Sequence, residues 1–195
     1  MTITFERRKK DILGKNDKSS IGEWDERIKD LCVKINKSRD YYTLSSCSGR
    51  IVLIKNIDKK ENNMFLFRTH EKIKLEELKR EIEKSKKYNG SVMFKQEPMI
   101  MHVACRNMIC ADKLMKKSQE SGFKHSGIIS LAENRVIVEI KGDEILSFPI
   151  IENGKLIADE NFLRIIVKES NIRLEKTWKK IEILKKGFFI NPVLS

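Results

Sequence analysis

The sequence predicts an α/β (α+β) fold in which mixed or antiparallel sheets carry flanking helices. Short apolar segments with strand character alternate with longer segments whose apolar residues recur at helical spacing. Hydrophobic residues make up 40% of the 195 residues, which is enough to build a substantial core in a single domain spanning 1–195. No G-x-G-x-x-G fingerprint follows a strand segment, so we do not expect a Rossmann fold.

Five segments have the apolar periodicity or the capping residues of helices: 4–14, a segment that begins at Asp25, a charged segment after His70, 107–121 and 159–186. Strands are predicted at 41–46, 50–57, 64–69, 91–96, 99–105, 127–131, 134–140, 145–151 and, more weakly, 155–158. We expect Gly142-Asp143 to form a hairpin turn between the strands on either side of it.

A weak internal sequence similarity suggests two similar halves, 25–96 and 97–186. Ser48-Gly49 follows a helix and precedes an apolar strand, and Ser126-Gly127 does the same later in the chain. Each half then continues through further strands to a helix. The alternative is coincidence, because Ser-Gly before a strand is a common turn signal.

The charge balance favours a polyanionic partner. Lys and Arg number 40 against 28 Asp and Glu, a net charge of +12, which suits nucleic acid or a membrane surface. Genome bias or heat adaptation is an alternative origin of such a composition. No apolar run approaches the ~20 residues of a membrane span, so we expect no membrane partner. The four cysteines form no CxxC pair, which favours reduced thiols and a cytoplasmic location.

Small and polar residues cluster in the segment 45–50, Ser-Ser-Cys-Ser-Gly-Arg. Backbone N–H groups in such a turn can cradle a phosphate or carboxylate, because small side chains leave them uncovered and glycine permits a positive φ. Serine hydroxyls and Arg50 add further donors. The alternative is a plain hairpin turn. Cys47 in the middle is either a nucleophile activated by a neighbouring base or a small buried residue, and packing is the commoner role.

Two histidines lie at strand positions. His70 ends a strand, and His102 lies inside the apolar strand 99–105, where a histidine is more often structural than a ligand. Glu97 and Arg106 flank that strand and suggest a polar cluster. A zinc site built on His102, Cys105 and Cys110 is disfavoured, since residues three apart on a strand point to opposite faces.

Several blocks resemble, in order and spacing, the wybutosine-synthesis methyltransferase family that acts on phenylalanine tRNA. These blocks are 41–51, Thr69-His70, 94–98, 102–106, Ala111 with Leu114, 121–123 and 126–128. One block is weak evidence, whereas several in register across nearly the whole chain are specific. The resemblance implies an unusual α/β fold, S-adenosylmethionine as methyl donor without a metal, and methylation of N-4 of the aminocarboxypropyl-demethylwyosine base in the anticodon region of tRNA(Phe).

The resemblance and the residue types together give a set of site expectations. We expect His70, or else His102, to act as the base. We expect a cofactor site formed by Ser45, Ser46, Ser48, Gly49, Arg50 and Glu97. Arg106, Ser126 and Gly127 are expected to contact the substrate.

The basic residues of the first and last helices, Arg7 to Lys10 and five lysines between 176 and 186, are expected to contact tRNA phosphates. For individual residues, a solvated helix face is the alternative. Two other functions remain open: a non-catalytic basic RNA-binding module, and an acyl- or thioester-transfer enzyme using Cys47 and His70. A monomer or a small homo-oligomer is expected.

Overall fold

The computed structural model of the chain describes residues 4–14, 24–57 and 62–188. Within these ranges the helices are Phe5–Leu13 (α1), Glu26–Lys37 (α2), Leu75–Ser85 (α3), Met108–Glu120 (α4) and Glu160–Gly187 (α5). The strands are Tyr41–Cys47 (β1), Arg50–Lys55 (β2), Phe65–Thr69 (β3), Val92–Glu97 (β4), Ile100–Cys105 (β5), Gly127–Ala132 (β6), Arg135–Lys141 (β7), Leu146–Glu152 (β8) and Lys155–Leu156 (β9). The predicted α+β class is confirmed, and every strand pair is antiparallel.

The chain divides into two compact units that alternate along the sequence. The first unit takes its described residues from Met1–Ser48, Met99–Asp143 and Trp178–Ser195, and the second comprises Gly49–Pro98 and Glu144–Thr177, apart from the few residues outside the described ranges. These boundaries differ from the consecutive halves 25–96 and 97–186. The internal repeat therefore stays a prediction.

The first unit contains the four-stranded sheet β1-β5-β7-β6. One face of this sheet packs under α2, α4 and the last turns of α5, because their helical stripes are apolar. The shared core includes Ile28 and Leu31 from α2, Leu114 from α4 and Met101 from β5, all fully buried. On the opposite face, α1 places Phe5 over Tyr42, with ring centroids 5.1 Å apart. The rest of that opposite face carries polar side chains such as His102 beside apolar ones such as Ile137.

The second unit contains the five-stranded sheet β3-β2-β4-β8-β9. Phe94 of β4 stacks on Phe148 of β8 at 5.3 Å, and Phe148 meets Phe162 of α5 at 5.5 Å. Leu78 and Ile82 of α3 are buried, as their helical spacing predicted. These aromatic contacts therefore identify the side of the sheet that faces α5.

One turn was predicted with the wrong pairing. The hairpin at Gly142-Asp143 does not form, because β7 pairs with β5 and β6 whereas β8 pairs with β4 and β9. The Gly142 N–H instead donates to the carbonyl of Met99 at 2.9 Å. At Ser48-Gly49 the structure excludes the alternative of a plain hairpin, since β1 and β2 belong to different sheets. The turn residues were recognised correctly, but the partners of the flanking strands were not.

None of the helices within 4–14, 24–57 and 62–188 combines the length and the apolar composition that crossing a membrane demands.

Candidate functional site

A row of four residues crosses the sheet of the first unit on the face that also carries Tyr42 and α1. Ser45 of β1 pairs with His102 of β5, His102 pairs with Glu139 of β7, and Glu139 pairs with Gly127 of β6. Directly paired residues share a face of a sheet, so the three side chains are neighbours. Three of the four were predicted as site residues, and Glu139 was missed.

Hydrogen bonds join the side chains of this row. Ser45 Oγ lies 2.7 Å from His102 Nδ1, and His102 Nε2 lies 3.0 Å from Glu139 Oε2. The His102 and Glu139 side chains are 28% and 27% exposed, and Ser45 is exposed. The row is therefore a hydrogen-bonded chain that begins at solvent and ends on a carboxylate. Glu139 gave only a weak sequence signal, because it occupies one polar position in an alternating strand.

Ser46 points to the other face of β1. It pairs with the buried Met101, and the Cys32 thiol of α2 donates to Ser46 Oγ at 3.4 Å. The hydroxyl of Ser46 thus contacts the helix that covers the core. Its role in cofactor binding stays a prediction.

Ser48 holds the end of β1 against the start of α2. Its backbone N–H donates to Asp25 Oδ2 at 2.7 Å. Its side chain is fully buried, and its hydroxyl has no hydrogen-bond partner within the part of the chain that the structure describes. A buried polar atom without a partner is costly, so this hydroxyl is a natural contact for a bound ligand. Asp25 was predicted only as a helix cap, and its carboxylate makes no such cap bond.

Gly49 and His70 meet in the second unit. Gly49 has φ of +96°, the left-handed region that its lack of a Cβ allows. His70 Nδ1 lies 3.1 Å from the carbonyl oxygen of Gly49. A carbonyl only accepts, so Nδ1 carries the hydrogen and donates it. This bond orients the imidazole relative to the turn.

Arg50 and Glu97, predicted separately as cofactor ligands, form an ion pair. They are directly paired across β2 and β4, and Arg50 Nε lies 2.5 Å from Glu97 Oε2. The guanidinium also lies over the ring of Phe65, 4.9 Å from its centroid. Neighbouring Gln96 was missed by the sequence analysis. It is fully buried, and its amide oxygen has no partner among the described residues.

Two predicted substrate contacts already bind other parts of the first unit. Arg106 Nε donates to Asp40 at 2.9 Å, and its other nitrogens donate to Glu6 and to the carbonyl of Arg39. These bonds tie the start of α4 to the segment before β1. Ser126 Oγ donates to the Phe123 carbonyl at 2.7 Å, closing the turn before β6. Their contacts with a substrate stay predictions.

The cysteines differ in their surroundings. Cys105 lies in the core, on the face of β5 opposite to His102, so strand geometry separates the two groups. Burial raises the pKa of the Cys105 thiol to about 12. Burial also raises the pKa of Cys110. Cys47 is only half-buried.

Comparisons with known proteins cover nearly the whole chain. A family model described as Methyltransferase TYW3 matches residues 7–189. A Thermococcus sibiricus protein named tRNA(Phe) 7-((3-amino-3-carboxypropyl)-4-demethylwyosine(37)-N(4))-methyltransferase is 33% identical over 181 residues, 91% of this chain and 90% of that protein. A Danio rerio protein named tRNA wybutosine-synthesizing protein 3 homolog is 32% identical over 184 residues, 92% of this chain and 72% of that protein.

A solved structure has the same fold. The PH1069 protein from Pyrococcus horikoshii superposes with a TM-score of 0.84 and 32% identity, covering 94% of this chain and 93% of that one. The family model matches most of the chain, and relatives more than 30% identical match nine-tenths of it. These two findings assign the chain to a family. The chain belongs to the TYW3 methyltransferase family.

Proposed function

We propose that this protein transfers a methyl group from S-adenosylmethionine to N-4 of 7-aminocarboxypropyl-demethylwyosine in tRNA(Phe). The observation that carries the proposal is the match, over at least four-fifths of both chains, to relatives named for that reaction. The polar row on the four-stranded sheet and the Ser48-Gly49 turn supply side chains suited to binding and proton transfer. The reaction joins a cationic methyl donor to a ring nitrogen, so positioning of the two reactants provides much of the catalysis.

The buried hydroxyl of Ser48, in the first unit, fits a polar cofactor. The Ser48 hydroxyl and the Gln96 amide oxygen are both fully buried and lack partners within the described ranges, so each has hydrogen-bonding capacity left for a ligand. We propose that Ser48 contacts bound S-adenosylmethionine through its hydroxyl, because its N–H already donates to Asp25. When bound, the cofactor supplies an electrophilic methyl group on sulfonium.

A base is required wherever the acceptor nitrogen carries a hydrogen. An imidazole suits proton transfer at neutral pH, and we propose His70 and His102 as the candidates. His70 donates from Nδ1 to the Gly49 carbonyl, whereas His102 bonds to side chains on both sides. The two rings are separable by mutation, because they hold different partners.

Exposed basic residues on the first and last helices are the proposed contacts for tRNA phosphates. Arg7 and Lys10 of α1 are exposed, as are Lys176, Lys179 and Lys186 of α5. Three other predicted contacts already have protein partners: Lys9 donates to the carbonyls of Ser38 and Tyr41, Lys180 to Asp143, and Lys185 to Glu182. The target base in the anticodon region would be splayed out into the site, as in other enzymes that modify nucleobases.

The test is a methylation assay on tRNA from cells that lack this protein. Purified protein and labelled S-adenosylmethionine are added, and the nucleosides are resolved by mass spectrometry. The expected result is a labelled methyl on the wyosine-type base. Folded protein that binds the tRNA but neither binds the cofactor nor transfers methyl would instead indicate an RNA-binding module. Alkylation of Cys47 under mild conditions, with loss of an acyl-transfer activity, would indicate the thiol enzyme.

Gel filtration tests the predicted monomer or small oligomer, and cell fractionation tests the expected cytoplasmic location.

A further inference from the structure

We propose that Ser45, His102 and Glu139 form a proton relay that removes the proton from the methyl-accepting nitrogen. Ser45 is the residue that touches the substrate, His102 acts through Ser45, and Glu139 positions His102. The inference rests on the proposed methyl transfer and assigns its proton chemistry to one face of the four-stranded sheet.

The backbone fixes the geometry of this relay. The three residues come from adjacent strands in direct register, Ser45 opposite His102 and His102 opposite Glu139. The imidazole therefore bridges its two neighbours, at 2.7 Å from the hydroxyl and 3.0 Å from the carboxylate. A base held by regular strands is more precisely placed than one held by a loop. Little rearrangement is needed when substrate arrives.

The hydrogen-bonding partners determine where the hydrogens lie. An ionised carboxylate only accepts, so His102 Nε2 must carry a hydrogen and donate it to Glu139. In the neutral ring Nδ1 is then the acceptor, and the Ser45 hydroxyl donates to it. The hydroxyl hydrogen of Ser45 thus points at the imidazole, and its oxygen lone pairs remain for an incoming N–H donor. Both hydrogen bonds are therefore donated in the same direction, from the exposed Ser45 toward the Glu139 carboxylate. This is the direction in which the proton must move.

The surroundings leave one end of the row accessible. Ser45 is exposed, whereas His102 and Glu139 are each roughly three-quarters covered. Beyond Glu139 the row ends at Gly127, where an added Cβ would meet nothing within 4 Å. The same face carries other ionisable groups on the strands beside His102: Cys47 and Lys141 pair with Ile100, Tyr42 pairs with Ala104, and Arg135 begins β7. Ligand can therefore approach Ser45 from the open side of the sheet.

The step balances in atoms and charge. The substrate N–H bond breaks and its proton bonds to Ser45 Oγ, while the original hydroxyl proton moves to His102 Nδ1. The nitrogen lone pair so released attacks the methyl carbon, and the carbon–sulfur bond electrons remain on sulfur. His102 becomes an imidazolium with hydrogens on both nitrogens. Glu139 stabilises that cation without taking the proton, the role an acidic partner has in other hydrogen-bonded histidine systems.

The alternative is a cross-strand ion pair that only supports the sheet. The two roles differ in what Glu139→Gln changes. Glutamine keeps the shape and hydrogen bonding but removes the charge that stabilises an imidazolium. A relay predicts a lower kcat and an acid limb of the kcat profile displaced to lower pH, with KM for tRNA nearly unchanged. A supporting ion pair predicts an unaltered pH profile.

The kinetic experiment compares Ser45→Ala, His102→Ala, their double variant and Glu139→Gln with wild type. We expect each alanine variant to lose about 10²–10⁴ in kcat, the usual contribution of general acid–base catalysis. The double variant should be no slower than the worse single one, because the two residues act as a unit. Ser130→Ala, an exposed serine on the same sheet, is the matched control and should retain activity. Circular dichroism and urea unfolding verify that each variant is folded.

Nitrogen NMR of the histidine rings gives a readout that needs no activity. The chain has three histidines, and the signals of His102 are assigned by their loss in His102→Ala. The expected state is Nε2 protonated and Nδ1 accepting a hydrogen bond. Protonation at Nδ1 in the neutral ring, or full kcat in Ser45→Ala by an active enzyme, would overturn the relay while leaving methyl transfer intact. Wild-type protein that transfers no methyl would instead overturn the proposed function, and the relay with it.

Discussion

The carboxylate of Asp25 accepts a hydrogen bond from the backbone N–H of Ser48, 2.7 Å away. The sequence predicted that this turn offers its N–H groups to an anion, and at Ser48 the anion is a side chain of the same unit. Asp25 stands at the N-terminal cap position of α2, yet its carboxylate makes no capping hydrogen bond to the helix. Its carboxylate therefore connects the beginning of α2 to the end of β1.

Replacing Asp25 with alanine should weaken the protein. Ser48 is fully buried, so its N–H would lose its partner in a place that water does not readily reach. We expect the free energy of unfolding to fall by about 1–3 kcal/mol, measured by urea denaturation. Asp30→Ala on the same helix is the control, since that side chain is 76% exposed, and it should stay within about 0.5 kcal/mol of wild type. Equal effects of the two substitutions would contradict a special role for the Asp25 bond.

Local patterns predicted the elements well, whereas long-range pairing was beyond them. Ile28, Leu31 and Ile35 recur at helical spacing and are all buried in α2. Turn residues such as Gly142 mark where a strand ends but not which strand it joins. The Gly142 N–H bonds to Met99, far away in sequence, because the order β1-β5-β7-β6 is set by packing of whole strands.

The candidate site was predicted in its parts and not in its connections. Ser45 and His102 were identified separately, but their hydrogen bond depends on a register that skips one residue of β1, between Thr43 and Ser45. Arg50 and Glu97 were likewise assigned to a ligand, and they bind each other. Polar residues with unsatisfied charge attract any suitable partner, so a sequence alone does not distinguish an internal partner from an external one.

Gly49→Ala should destabilise the protein because Gly49 has φ of +96°, where a Cβ is strained. We expect a loss of about 1–3 kcal/mol in the free energy of unfolding. Gly127→Ala is the comparison, because an added Cβ there meets nothing within 4 Å. Its stability should remain within about 0.5 kcal/mol of wild type. Chemical denaturation of the two variants side by side decides the matter, and a Gly49→Ala protein as stable as Gly127→Ala would be inconsistent with backbone strain at the turn.

The Arg50–Glu97 pair should show measurable coupling in a double-mutant cycle. The two side chains are 25% and 33% exposed, so solvent screens part of their attraction. We expect a coupling energy of at most about 1 kcal/mol in stability from Arg50→Ala, Glu97→Ala and the double variant. Calorimetry with S-adenosylmethionine on the same set tests their proposed ligand role. If the cofactor affinity of all three variants equals that of wild type, neither residue binds the cofactor.

Alkaline pH should reduce stability through Cys105. Burial raises the pKa of its thiol from 9.0 to about 12, so the folded protein keeps a proton that the unfolded chain releases. The stabilising contribution is complete below pH 9 and is lost as pH rises toward 12, with a slope of at most about 1.4 kcal/mol per pH unit. Cys105→Ala should flatten the pH dependence of the urea midpoint in this window. Part of the slope should persist, because burial also raises the pKa of Tyr41. A slope identical to that of wild type would show that the Cys105 thiol does not contribute.

Salt dependence should distinguish the lysines of α5 that contact tRNA from those that pair within the protein. Lys179 and Lys186 are exposed, whereas Lys185 donates to Glu182 at 2.6 Å, a bond that raises the pKa of the lysine. Each phosphate contact contributes about 0.7–0.9 to the slope of log affinity against log salt concentration, because binding releases counterions. Lys179→Ala and Lys186→Ala should each lower the slope by that amount, and Lys185→Ala should lower it less, because Lys185 already pairs with Glu182. Filter binding of tRNA across a salt series measures all three slopes. Slopes that match wild type for Lys179→Ala and Lys186→Ala would place the phosphate contacts elsewhere on the protein.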